Sequence, residues 1–309
     1  MFQFYNRQKS LSRVGLGKGE KETKGRIRKT LKFIWNEFVY GGHLQCLGIV
    51  GIVYITGFLL NIKIGWEILL LSYLIFYPIY VNDRLSAIKI DGLTNPERTK
   101  HFKIYLRMMP KILIFSILLL VILLFYFRNL KLSIFALTLL FLGLLYPLYF
   151  KNVSKKIIAF KDFYTAGFFS VIVFLPIIYY SLNFLLTISL IILVLFIFLK
   201  AVLMQILFDI KDIEGDKLLG LKTIPILIGK EKTLTLLRIS SLVITILIIP
   251  FAVFFLHSFS YRMLILLFTI PFNFYSYNLV QKQSYYGYII GSGEFLFWLI
   301  LILIAKVII

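Results

Sequence analysis

Between residues 44 and 308 the chain runs through nine mostly apolar stretches, near 44–62, 66–82, 106–127, 132–150, 163–183, 185–208, 234–256, 261–280 and 286–308. Crossing a hydrocarbon core of roughly 30 Å takes about 20 such residues in a helix. A helix also satisfies its own backbone hydrogen bonds where no water can. The pattern predicts an all-α, polytopic integral membrane protein with about nine transmembrane helices. A hydrophobic share of 60% over 309 residues excludes a soluble domain, which needs far more polar surface.

The first thirty residues are different in kind. They carry Arg7, Lys9, Arg13, Lys18, Lys21, Lys24, Arg26, Arg28 and Lys29 and have no apolar core of a cleaved signal peptide. Residues 1–33 therefore read as a flexible basic tail against an anionic membrane face, and 34–309 as the membrane domain. RNA is the rival partner for such a tail, but no nucleic-acid domain follows it, so no nucleic acid is expected. Cys46 is the single cysteine, which excludes an intrachain disulfide and a cysteine-rich metal site.

Lysine and arginine in short loops set orientation. The loop after the first stretch holds only Lys63, whereas the next holds Arg84, Lys89, Arg98, Lys100 and Lys103. Arg128 and Lys131 follow, then Lys151, Lys155, Lys156 and Lys161, then a loop at 181–183 with none, then Lys211, Lys217, Lys222, Lys230 and Lys232. This alternation places the N-terminus and the loops after stretches two, four and six in the cytoplasm. The acidic residues keep to the same side, with Asp83 and Asp91 after the second stretch and Asp209, Asp212 and Asp216 after the sixth. An aspartate at mid-bilayer costs about 2.5–3.5 kcal/mol on insertion scales, so these five belong at the rim or in a wet, cation-filled cavity.

If the helix of the sixth stretch continues through DIKDIEGD, the three aspartates stand at i, i+3 and i+7, within about 60° of arc on one face. Three carboxylates on one stripe need positive charge between them. Mg²⁺ takes oxygen ligands and leaves room for phosphate oxygens, so a magnesium-bound diphosphate is a natural guest, and a solvated acidic-basic loop is the plain alternative.

The segment DIKDIEGDKLLGLKTIPILIGK resembles the second aspartate-rich motif, DxxDxxxD, of the UbiA superfamily of intramembrane prenyltransferases, including the tail at Gly220, Lys222-Thr223, Ile224-Pro225 and Ile228-Gly229. The helix layout and the acidic loops after helices 2 and 6 are similar too, so the resemblance covers nearly all of the chain after residue 33. It implies helices around a central cavity, Mg²⁺ as cofactor, and a prenyl diphosphate bound through Asp209, Asp212 and Asp216.

The first family motif, NDxxDxxxD followed by Pro and Arg, is altered here to VNDRLSAIKIDGLTNPERTKHF. Matching Asn82-Asp83 to the family's Asn-Asp puts Ser86 and Ile90 on the remaining carboxylate positions. Setting the register by Pro96 and Arg98 instead makes Asp91 the last carboxylate, puts Asp83 on the family's Asn, and leaves Arg84 and Ala87 on the other two. The second register keeps the spacing from Asp91 to Arg98 and is preferred. Either way only two carboxylates remain.

The resemblance then implies an intramembrane prenyltransferase that moves an isoprenyl group to a lipophilic acceptor, an aromatic ring or a lipid hydroxyl, through an allylic carbocation. Asp83 and Asp91 would join the three aspartates on the metal. Asn82, Arg98, Lys222, Lys161, Tyr146 and Lys151 would meet the donor; the plain alternatives are an interfacial anchor for Tyr146 and simple positive-inside patterning for Lys161. Glu294, inside the last stretch, either steers the acceptor or makes a structural hydrogen bond. A terpene cyclase of the same superfamily, acting without an acceptor, and a non-catalytic transporter or scaffold are the competing readings.

Overall fold

The computed structural model describes residues 18–150, 153–182 and 187–308, and no strand occurs among them. The chain folds as α1 (Lys18–Tyr40), α2 (His43–Leu59), α3 (Trp66–Thr94), α4 (Pro96–Lys103), α5 (Met109–Phe127), α6 (Leu130–Leu145) and α7 (Phe160–Val171), followed by α8 (Leu175–Tyr179), α9 (Ile188–Leu218), α10 (Ile224–Ile228) and α11 (Lys230–Pro250), and finally α12 (Thr269–Gln281), α13 (Tyr286–Ser292) and α14 (Glu294–Ile308). Local chemistry sets several starts. Asn129 caps α6 by accepting from Leu132 N at 3.1 Å, and Thr187 caps α9 by accepting from Leu190 N. Pro96 opens α4, where its missing N–H is not needed.

Each of the nine apolar stretches is helical over most of its described length, but they are not equally long. Six helical segments are long and apolar enough to cross a membrane: Trp66–Ile88, Met109–Phe127, Phe160–Tyr179, Ile188–Leu218, Lys230–Phe255 and Tyr261–Gln281. The number rises to eight if each of two bent pairs counts as one span, and Leu130–Leu145 is apolar but shorter. One bend, 56° between α1 and α2, falls at Gly41-Gly42. Gly42 has φ +87°, and a Cβ there would meet the Tyr80 Cβ at 2.9 Å, so glycine is what lets the chain turn so close to α3. The second bend, 55°, falls at Gly293 and divides the last stretch into α13 and α14. The stretch expected to be a flexible tail is helical from Lys18 onward, and its residues before Lys18 lie outside those described.

The long helix α9 packs between α7 and α11, and α2 packs along α14. Gly48 and Gly51 make the second contact close: a Cβ on Gly51 would sit 2.5 Å from the Phe295 carbonyl. Phe196 of α9 stacks on the fully buried Trp298 of α14 at 4.9 Å. At 31 residues, α9 is ~46 Å long, well beyond a ~30 Å hydrocarbon core. Its last turns, which carry the three aspartates, are therefore free to stand at the membrane edge.

Candidate active site

Because α9 runs unbroken to Leu218, Asp209, Asp212 and Asp216 do share one face with Gln205 and Phe208. That face lines a cavity of about 280 Å³. Opposite it, α3 contributes Phe76, Tyr80, Asp83, Arg84, Ala87 and Asp91, and α7 contributes Lys161, Tyr164, Phe168 and Phe169. On α3 and α7 the lining changes from charged to aromatic, and on α9 the aspartates give way to Phe208 and Gln205. The charged end gathers Asp83, Asp91, Asp209, Asp212 and Asp216 with Arg84, Arg98, Lys161 and Lys211. The aromatic end is a continuous wall, with Tyr146 stacked on Tyr164 at 5.2 Å and Tyr164 against Phe168 at 5.1 Å. Phe76 meets Phe168 and Phe169 edge-on at 6.4 and 6.2 Å.

The carboxylates are held by specific cations. Lys161 Nζ lies 2.6 Å from Asp209 Oδ1 and 2.9 Å from Asp216 Oδ2, so it bridges the first and third aspartates. Asp212 accepts from Asn95 Nδ2 at 3.0 Å and has Lys211 at 3.8 Å. The Arg98 guanidinium pairs with Asp91, and Arg84 Nη1 lies 3.1 Å from Asp83 Oδ2. Burial alone would pull the Arg98 guanidinium down, but Asp91, Asp212 and Asp83 more than offset it and hold it above its ordinary value. Asp209 and Asp216 are 1% and 5% exposed, a burial that carboxylates tolerate only when paired.

Among the described residues, no three acidic, histidine or cysteine side chains converge as a ready-made metal site; Lys161 stands between two of the aspartates. The donor chemistry nevertheless fits a hard cation. Asp91 Oδ2 is a buried carboxylate oxygen without a hydrogen-bond partner, on a residue that lines the cavity. Mg²⁺ is commonly held by one or two carboxylates together with phosphate oxygens.

Asp83, Asp91, Asp209, Asp212, Asp216, Arg98, Lys161 and Tyr146 thus come together around one cavity. The register set by Pro96 and Arg98 lists Asp83, Arg84, Ala87 and Asp91, and all four line it. Asn82 does not, since its side chain donates to the Leu144 carbonyl at 3.2 Å and ties α3 to α6. Lys222 is also displaced from its expected role: its side chain is exposed and outside the lining. Its backbone does the local work, donating to Ser154 O at 3.1 Å and accepting from Ala159 N at 2.9 Å, which pins this loop beside the start of α7. Glu294 is not among the lining residues; it pairs with Lys200 at 2.7 Å. Lys151 lies outside the described residues.

Three residues escaped the sequence reading. Asn95 and Lys211 attend Asp212. Asp162 is fully buried and lies against Asp209 and Lys161, close enough to interact with both charges. Its signal was a carboxylate one residue after Lys161 at the head of an apolar helix.

A model of the UbiA prenyltransferase family matches residues 88–287. No curated protein matches the chain in sequence. Three solved structures share the fold. One is from work on digeranylgeranylglyceryl phosphate synthase in membranes (19% identity, 90% of this chain and 98% of that one, TM-score 0.51). Another is the apo structure of a UbiA homologue from Aeropyrum pernix K1 (14%, 85% and 97%, TM-score 0.61). The third is a UbiA homologue from Archaeoglobus fulgidus bound to DMAPP and Mg²⁺ (14%, 89% and 99%, TM-score 0.59).

Proposed function

Since the chain belongs to the UbiA prenyltransferase family, we propose that it is a Mg²⁺-dependent intramembrane prenyltransferase that moves an isoprenyl group from a prenyl diphosphate to a lipophilic acceptor. The observation that carries this reading is the cavity whose charged end passes, along α3 and α7, into an aromatic wall. A prenyl diphosphate has the same division, with an ionic head on an apolar tail. The A. fulgidus relative, which holds DMAPP and Mg²⁺, supports it at the level of the family.

In this reading the diphosphate lies at the charged end, with Arg98 and Lys161 donating to its oxygens. Asp209, Asp212 and Asp216 would hold Mg²⁺, with Asp91 and Asp83 as further oxygen donors. Such a metal would supply charge stabilisation to the departing pyrophosphate. As the C–O bond of the allylic carbon breaks, positive charge develops on the chain, and the faces of Tyr146, Tyr164 and Phe168 are placed to stabilise it and exclude water. The nine apolar stretches form nine spans, counting Leu130–Leu145 and both bent pairs. The domain occupies 34–309 behind a basic segment, 1–33, and the charged end opens to the cytoplasm, as the lysine and arginine distribution requires.

Mass spectrometry of the products formed from a labelled allylic diphosphate plus a membrane lipid extract tests this directly. A labelled prenyl adduct of an extracted lipid or quinone precursor is expected. A cyclic hydrocarbon or terpenol formed without extract would instead establish the cyclase. Unconsumed donor would remove both.

The far end of the cavity yields a second expectation. Phe169 stands there against Phe76 and stacks on Phe295 at 5.5 Å, so it closes the space into which the donor tail points. Phe169→Ala is expected to raise the kcat/KM of a donor one isoprene unit longer, relative to the shorter one, by roughly tenfold. Paired kinetics with the two donors read this out, and an unchanged ratio would place the tail elsewhere.

A further inference from the structure

Arg84 is left unexplained by the site as described so far. It lines the cavity, and only 15% of its side chain is exposed. Its Nη1 meets Asp83 at 3.1 Å, yet its Nε is buried and has no hydrogen-bond partner. Arg98 repeats the pattern from the neighbouring helix α4: its Nη2 is paired with Asp91, and its Nε is likewise buried and unpartnered. Both guanidiniums, with Lys211, lie near enough to repel one another. Bringing like charges together in a cavity and leaving two buried N–H groups unsatisfied is costly unless an anion completes the arrangement. The partner must present anionic oxygens, because the Nε–H groups of both arginines stay unsatisfied even with Asp83, Asp91 and Asp212 beside them. A guanidinium presents its N–H groups as a planar fork that matches phosphate oxygens two at a time.

We infer that Arg84 is a substrate-binding residue that, together with Arg98, forms a guanidinium clamp on the diphosphate, so that the two arginines grip the donor by direct hydrogen bonds beside the carboxylates that would hold the metal. Ala87, one turn on from Asp83 along the same face, leaves the room into which the head group fits. This rests on the prenyl diphosphate reading above and assigns the head group's contacts within it. It also gives the altered first motif a function. The side of the cavity with two carboxylates and two arginines binds the anion itself, with less dependence on a divalent ion.

The test uses the full-length purified protein in nanodiscs and inorganic pyrophosphate as probe, with binding measured by titration calorimetry in millimolar Mg²⁺ and again in EDTA. Wild type is expected to bind in both conditions and more weakly in EDTA. Arg84→Gln is expected to weaken binding on the order of tenfold in EDTA and less in Mg²⁺, while Mn²⁺ affinity followed by electron paramagnetic resonance does not fall, since the cation beside Asp83 is gone. Arg84→Lys, which keeps the charge and loses the fork, is expected to fall between them. If Gln does not yield folded protein, Lys carries the test alone. Wild-type affinity in the folded variants in EDTA overturns the clamp and leaves the prenyltransferase reading standing. Pyrophosphate binding by wild type only in Mg²⁺ also overturns it. No binding by wild type in either condition removes the diphosphate site altogether.

Discussion

Asp209→Ala and Asp216→Ala are each expected to lower pyrophosphate release from an allylic diphosphate on the order of 10³-fold, the scale at which loss of one preorganised charge-stabilising group is felt. Both carboxylates are buried, both line the cavity, and both are held by the same ammonium, Lys161. Removing either would take away an oxygen ligand proposed for the metal and also free Lys161 to swing wholly onto the other aspartate, where it would compete with a cation for that carboxylate. Asp212 differs, being 26% exposed and already bonded to Asn95 and Lys211, so Asp212→Ala should cost less than either neighbour. Steady-state assay of released pyrophosphate, with thermal melting to establish that each variant is folded, checks the ranking. Near-normal turnover in Asp209→Ala would show that the acidic stripe is not where the donor head lies.

The second large effect concerns stability. Lys200 and Glu294 are 0% and 3% exposed and lie 2.7 Å apart between α9 and α14, inside the apolar part of the bundle. Asn273 of α12 donates to Glu294 Oε1 at 3.0 Å and also to Ser241 Oγ, which accepts from Lys200 as well. Four helices therefore meet in one closed polar network. Taking away one partner strands a charge where neither water nor lipid can solvate it, so Glu294→Leu and Lys200→Met are each expected to destabilise the fold by about 3–5 kcal/mol. The double variant Lys200→Met/Glu294→Leu should recover most of that loss, since a matched apolar pair leaves nothing uncompensated. Denaturant unfolding of the four proteins in one bicelle system completes the cycle. Additive losses would mean the two residues act apart.

That network also shows where the sequence was legible and where it was not. The apolar stretches were readable because membrane insertion demands a long run of apolar residues in each spanning helix, and each stretch is helical over most of its described length. The face shared by Asp209, Asp212 and Asp216 was readable because helix periodicity fixes it once α9 is known to continue. Glu294 could be seen as needing a partner or a cavity, but its partner Lys200 is 94 positions away within another apolar stretch, and only the packing of α14 beside α9 brings them together. The bends at Gly41-Gly42 and Gly293 were hidden for a similar reason. Glycine is common in membrane helices for close packing, and a break depends on what stands beside it, here Tyr80 against Gly42. Asp162 was passed over because one carboxylate beside one lysine reads as a neutral pair. Its burial against Asp209 comes from the contact of α7 with α9.

The central claim is that the acidic stripe of α9 and the arginines on the α3 side enclose the diphosphate of an allylic donor. The most direct measurement is a structure of the full-length protein with Mn²⁺, used for its anomalous signal in place of Mg²⁺, and a non-reacting allylic thiolodiphosphate. Metal density is expected against Asp209 and Asp216, the diphosphate between that metal and Arg98, and the tail running past Tyr164 toward Phe169. Diphosphate density outside this cavity, or metal bound away from the α9 aspartates, would contradict that claim.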